Sequence, residues 1–161
     1  MNAGRRFAPD RFVGTELDFW LGDWTVSWEG GHGTNLIERG FGGQVIHERF
    51  DAAADADGTG GFHGESWSVF DASRSLWRQT WVDDNGAYLD LVGDRVDGAF
   101  AFVRQAPEIG EHGRQRMVFR DIDADHVRWT WERSLDGGAT WELRWEIAYA
   151  RRQTQSRGGA R

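Results

Sequence analysis

Phe19-Trp20-Leu21-Gly22-Asp23-Trp24-Thr25-Val26-Ser27-Trp28 is the stretch whose reading decides the fold. Trp24, Val26 and Trp28 alternate with Thr25 and Ser27, which is the period of a half-buried strand. Gly22 stands two residues before Trp24 at the start of that strand, where a missing side chain lets another backbone come close. The pattern predicts a strand with tryptophans on its dry side, and the strands that follow must curl around them.

Upstream, residues 1–15 read as a loose arm, and Glu16 to Leu21 as a short helical turn closing one end of the structure. Downstream, Gly30-Gly31-His32-Gly33 reads as a turn, and Thr34 to Phe41 and Gln44 to Asp51 as strands joined through Gly42-Gly43. Ala52 to Gly60 is small and polar, so a surface loop is expected before the strand Phe62 to Phe70 and its turn at Asp71 to Ser75. In Leu76 to Asp83, Trp77, Gln79 and Trp81 face one way and Arg78, Thr80 and Val82 the other. Ala87 to Gly93, Ala99 to Gln105, Gln115 to Asp121 and His126 to Ser134 continue the meander. The last strand, Thr140 to Ala150, sets Trp141, Leu143, Trp145, Ile147 and Tyr149 opposite Glu142, Arg144 and Glu146.

About ten strands without a long helix point to an all-β protein, an up-and-down antiparallel β-barrel, since closure removes the edges that aromatic strands would otherwise expose. Two hairpins give registers. A five-residue loop at Leu135–Ala139 sets Trp129 opposite Trp145 and Trp131 opposite Leu143. A two-residue turn at Asn85-Gly86 pairs Trp81 with Asp90, so either Asp90 is interior or a bulge shifts the register.

The chain has 161 residues, enough for one domain with its own core, assigned to residues 16–152, followed by a basic tail at 153–161 that is expected to be disordered. Cysteine is absent, which excludes a disulfide framework and a thiol nucleophile. The net charge is −7 and every basic residue apart from histidine is arginine. Four of those arginines lie in the last eleven residues, so the body is more acidic than the total, and nucleic acid is not the expected partner. No apolar run follows Arg5 and Arg6, so neither a signal peptide nor a membrane span is expected, and the reading is cytoplasmic. A monomer and a homodimer are both compatible with the sequence.

Gly22-Asp23-Trp24, the meander, and the late Tyr149-Ala150-Arg151-Arg152 together resemble the calycin superfamily, the lipocalins and fatty-acid-binding proteins. The resemblance implies that Trp24 sits at the barrel floor and that Arg151 or Arg152 packs across it. Phe19–Trp24, Trp77–Asp83 and Ser134–Trp141 are similar to the FWxGxW opening, WRQTWVD strand and SxDGGxTW turn of an uncharacterised family of bacterial lipocalin-like proteins. That likeness implies the fold and no particular activity. The Arg-x-Tyr carboxylate clamp of fatty-acid-binding proteins is missing, because Tyr149-Ala150-Arg151 has the reverse order. Ser134–Trp141 also looks like the Asp-box of sialidases; it occurs once and reads as turn chemistry, with Asp136 bonding nearby amides and the glycines at positive φ.

Polar residues on dry faces mark the candidate site. Gln79 lies between Trp77 and Trp81, Glu48 shares a face with Ile46 and Phe50, and Asn35 shares one with Ile37 and Phe41. Burial raises the pKa of a carboxyl, so Glu48 in an aromatic cavity is a candidate general acid or base near neutral pH. Its alternative is a structural partner for Arg39 or Gln79. Asn35 and Gln79 are read as orienting a ligand or a buried water. Trp20, Trp24 and Trp77 are read as floor and core, whereas Trp81, Trp129, Trp131 and Trp145 are candidates for an aromatic cage.

The expected ligand is a small apolar or aromatic metabolite, with an isomerase, cyclase or hydrolase using Glu48, or a filled interaction module, as alternatives. No cofactor is predicted. The histidines at 32, 47, 63, 112 and 126 show no HxH or HExxH spacing, so no metal site is expected. His32 and His112 read as solvated turn residues, and His47, His63 and His126 are the candidates for the haem ligand found in nitrobindin-like relatives of this barrel. Asp121, Asp123 and Asp125 with Glu132 mimic a calcium loop, but His126 stands where the glycine is required, so the segment reads as a hairpin turn.

Overall fold

The computed structural model describes residues 12–153. Ten antiparallel strands close on themselves: β1 (Gly22–Trp28), β2 (Gly31–Gly40), β3 (Val45–Ala52), β4 (Phe62–Asp71), β5 (Leu76–Asp83), β6 (Tyr88–Val96), β7 (Ala99–Gln105), β8 (Arg114–Arg120), β9 (His126–Ser134) and β10 (Glu142–Arg151). Each strand pairs with its neighbours in sequence, and β1 pairs with β10 to seal the barrel. The fold is an up-and-down antiparallel β-barrel, and its inner face carries the core.

One end is closed from within. The segment before β1 makes a 3-10 turn at Asp18–Trp20 and sinks Phe12, Leu17 and Trp20 into the barrel. The arm expected over 1–15 lies largely outside the described residues; of its last four, Phe12 is only 2% exposed, packed 5.3 Å from Phe100 between ring centroids. Glu16 ties this plug to the wall, accepting from the backbone N–H of Gly14 at 2.8 Å and the indole N–H of Trp77 at 2.9 Å. Of the tail, only Gln153 is within the described residues.

Several boundaries and registers differ from the sequence reading. The turn at residues 30–33 contracts to Glu29-Gly30, because Gly30 takes φ +82° and Trp28 pairs directly with Gly31; His32 is therefore an exposed strand residue. Phe41 does not continue the inner face of β2: with φ +49° it enters a 3-10 turn at Phe41–Gly43 and is 79% exposed. The Asn85-Gly86 hairpin has a three-residue loop. Gly86 N–H bonds the Asp83 carbonyl at 3.0 Å and Gly86 is left-handed at φ +85°, the geometry of a type I turn followed by a glycine bulge. Trp81 consequently faces Leu89, and Asp90 points outward to Arg78 at 2.8 Å.

The last hairpin also shifts. Asp136 accepts from the Thr140 N–H at 2.9 Å and the Thr140 hydroxyl at 2.6 Å, and Gly137 and Gly138 take φ +72° and +95°. A bulge between Leu143 and Trp145 then puts Trp145 opposite Trp131 and Ile147 opposite Trp129. Leu143 pairs with outward-facing Glu132 and is 54% exposed, so it is not an inner-face residue. Trp141 stays outside the barrel under the Arg116 guanidinium, 3.9 Å from ring centre to Cζ. Glu132 receives bonds from Arg116 at 2.6 Å, Thr130 at 2.8 Å and Arg120 at 3.0 Å, which ties β8 to β9 on the outer face.

Candidate functional site

The barrel floor is built on the pairing of Trp24 with Arg151 across the β1–β10 seam. The Arg151 guanidinium lies 4.1 Å from the Trp24 ring centre, a cation–π contact. It also donates to the carbonyls of Leu21 at 2.8 Å, Phe19 at 3.2 Å and Ala124 at 2.7 Å. Trp24 donates its indole N–H to the Trp20 carbonyl at 2.8 Å. Gly22 makes room for this arrangement: a Cβ there would stand 2.3 Å from Arg151 Nη1, and its φ of +135° suits glycine. Arg152 sits outside, near Asp23.

Above the floor the barrel is hollow. A cavity of about 350 Å³ opens away from Trp24, and its lining includes Glu48, Trp81, Trp129, Trp131, Trp145 and Tyr149. The size falls in the range of small-molecule sites. Trp129 and Trp131 lie parallel at 6.4 Å, and Trp145 meets Trp129 edge-on at 5.7 Å. Beside Trp145, Phe50 stacks on Phe62 at 5.4 Å. Trp81 crosses the β4 backbone at Gly64, where a Cβ would lie 2.1 Å from the indole, and its N–H is held by Asp83 at 2.9 Å.

The deep end is polar and comes from four strands. Glu48 on β3 accepts from Asn35 Nδ2 on β2 at 2.7 Å and from the Ser66 hydroxyl on β4 at 2.5 Å. Asn35 Nδ2 also donates to the Tyr149 hydroxyl on β10 at 3.0 Å. Burial pushes the Glu48 carboxyl up to about 7, against the hydrogen bonds from Ser66 and Asn35, which pull it down. Burial and the neighbouring Glu48 charge together push the Tyr149 phenol well above its ordinary value. Burial thus favours the protonated form of Glu48 relative to an exposed carboxyl.

The structure thus gathers Asn35, Glu48, Trp81, Trp129, Trp131 and Trp145 around one space or against its polar end. Gln79 is separate: it is buried one layer away and donates to the Ser68 hydroxyl at 2.9 Å. Neither partner suggested for Glu48 reaches it, because Arg39 bonds the Gly43 carbonyl and Asp18 outside the barrel. Tyr149 and Ser66 had no assigned role in the sequence, although alternation placed Tyr149 on the inner face. Ser66 carried no signal, since a serine on a strand is unremarkable until a carboxylate is set opposite it at the β3–β4 pairing.

No histidine lines the cavity among the described residues. His47 and His63 face outward and share Glu65, at 2.6 and 3.0 Å, and His126 is exposed at the β8–β9 turn beside Asp123. In that turn Asp123 accepts from the N–H groups of Asp125 and His126, both at 2.8 Å, so its carboxylate serves the backbone. Among the described residues no group of three or more histidine or carboxylate side chains is placed to hold a metal ion.

The fold and the cavity together define a closed antiparallel β-barrel with an interior chamber suited in size to a small molecule. Compared with known proteins, the sequence matches no protein-family model and no curated protein. Among the described residues no helix is long and apolar enough to cross a membrane.

Proposed function

We propose that this chain is a calycin-like binding protein that takes up a small apolar or aromatic metabolite inside the barrel. The observation that carries the reading is the cavity of about 350 Å³, with aromatic walls and a hydrogen-bonded polar cluster at its deep end. Apolar walls supply affinity, and a few fixed polar groups orient the guest. The Trp24–Arg151 floor supports kinship with the calycins, whose barrels close one end in this way. Native mass spectrometry of gently purified protein, before and after incubation with a metabolite extract, tests the reading. A defined added mass that disappears on denaturation, and is absent from a Trp131→Arg variant that remains folded, is expected. Protein that carries no guest and acquires none from the extract overturns it.

Acid–base catalysis in the same chamber is favoured by one further observation, the Glu48 carboxyl held at about 7 beside the Tyr149 hydroxyl network. Under that reading Glu48→Gln abolishes turnover of an identified guest, a far larger loss than any it causes in binding. Unchanged turnover rejects the role.

A further inference from the structure

The charged groups facing the cavity are all of one sign. Glu48 lies at its deep end, and Asp83 and Glu108 near its wall. Lysine is absent from the sequence, and no arginine lines this space among the described residues. Arg104 pairs with Glu108 at 2.5 Å, which leaves Glu48 and Asp83 as the carboxylates without a cationic partner. Asp83 is held by the Asn85 and Ala87 N–H groups at 3.0 and 3.1 Å and by Trp81. Glu48 receives only two neutral donors, Asn35 and Ser66, fewer than a carboxylate can accept. The ring faces of the tryptophans add negative potential to the same space, and low-dielectric walls strengthen it.

Resting on the cavity reading above, we infer that the guest is cationic: an aromatic or hydrocarbon body among Trp129, Trp131 and Trp145, with a protonated amine or amidine directed at Glu48. An ammonium or amidinium there supplies the donor that Glu48 lacks and meets the aromatic faces by cation–π attraction. A carboxylate guest finds no cation and lies against a buried carboxyl, so this barrel does not select fatty acids. Neutral guests of the same shape gain the apolar walls alone.

Isothermal titration calorimetry with naphthylethylamine, naphthylethanol and naphthylacetate separates the body from the head group. The amine is expected to bind about tenfold tighter than the alcohol, a difference of about 1.4 kcal/mol, with the acid weakest. Glu48→Gln is expected to erase the amine's advantage and leave the alcohol within about twofold, in keeping with the loss of a single charge contact. If that variant does not fold, the ranking on the wild-type protein still decides. Acid or alcohol binding as tightly as amine overturns the charge preference and leaves the cavity reading standing. Should none of the three bind, the cavity reading fails and the inference falls with it.

Discussion

At the closed end of the barrel Trp20, Trp24 and Trp77 are buried, whereas at the open end Trp81, Trp129, Trp131 and Trp145 are only partly covered. The closed-end indoles are bound into the architecture: Trp24 donates to the Trp20 carbonyl, Trp77 donates to Glu16, and Arg151 lies across Trp24. The open-end rings touch mainly one another and Trp28, Phe50 and Phe62 around the chamber. One residue type thus does two kinds of work, and what separates them is whether other side chains fill the space beside the ring. Filled space converts aromatic area into stability; unfilled space leaves it available to a guest. Tyr149 stands at the junction, edge-on to Trp24 at 5.9 Å and bonded to Asn35 beneath the cavity.

The comparison breaks most visibly at Trp24. Trp24→Ala is expected to destabilise the protein by about 4 kcal/mol in urea unfolding, the cost of a large buried ring plus the cavity left behind. A loss under about 1 kcal/mol would show that the floor is not a packing centre.

The next effect belongs to Glu48 and depends on pH. Its folded pKa, raised from 4.5 to about 7, means that the bound proton stabilises the fold fully below the unfolded value. That contribution declines as the pH rises from about 4.5 and is gone above about 7. Glu48→Gln mimics the protonated form. It is expected to match the wild type in acid and to exceed it by up to about 3 kcal/mol near pH 8, from the size of the shift. Parallel stability–pH curves for the two proteins would contradict a buried, proton-exchanging carboxyl.

Gly22→Ala sharpens the account of the floor without touching an aromatic ring. The added methyl occupies the Arg151 guanidinium position and strains a φ of +135°, so a loss of about 2 kcal/mol is expected. A neutral result would mean that Arg151 can leave Trp24 without consequence. The smallest stability change is expected at the open end. Trp145→Ala should cost about 1 kcal/mol in unfolding, in line with partial burial, while weakening guest binding about tenfold. A stability loss equal to that of Trp24→Ala would erase the distinction between the two ends.

Much of the placement was readable from alternation. Trp77 and Gln79 on β5, Glu48 and Phe50 on β3 and Asn35 on β2 face inward as their period-two spacing requires. Two registers were not readable, and each turns on one residue. The Gly86 bulge moves Asp90 outward, and the bulge after Leu143 exposes that leucine and sets Trp145 against Trp131. A single inserted residue reverses every side chain beyond it, and the choice depends on how the turn satisfies its own hydrogen bonds. Glu48 was recognisable as a polar residue on a dry strand, but its partners were not. Arg39 and Gln79 are equally near in sequence pattern, and only the strand pairings select Asn35 and Ser66 instead.

By itself, then, the sequence determined a cysteine-free, aromatic, ten-stranded barrel with tryptophans and a few polar residues turned inward, because strand period and turn residues are local properties. Tertiary structure alone decided that the rings read as a cage border open space rather than fill it, and that Asn35, Ser66 and Tyr149 gather around Glu48. Those outcomes depend on closure of β1 against β10 and on the height of each residue along the barrel axis. Neither is encoded within any one strand.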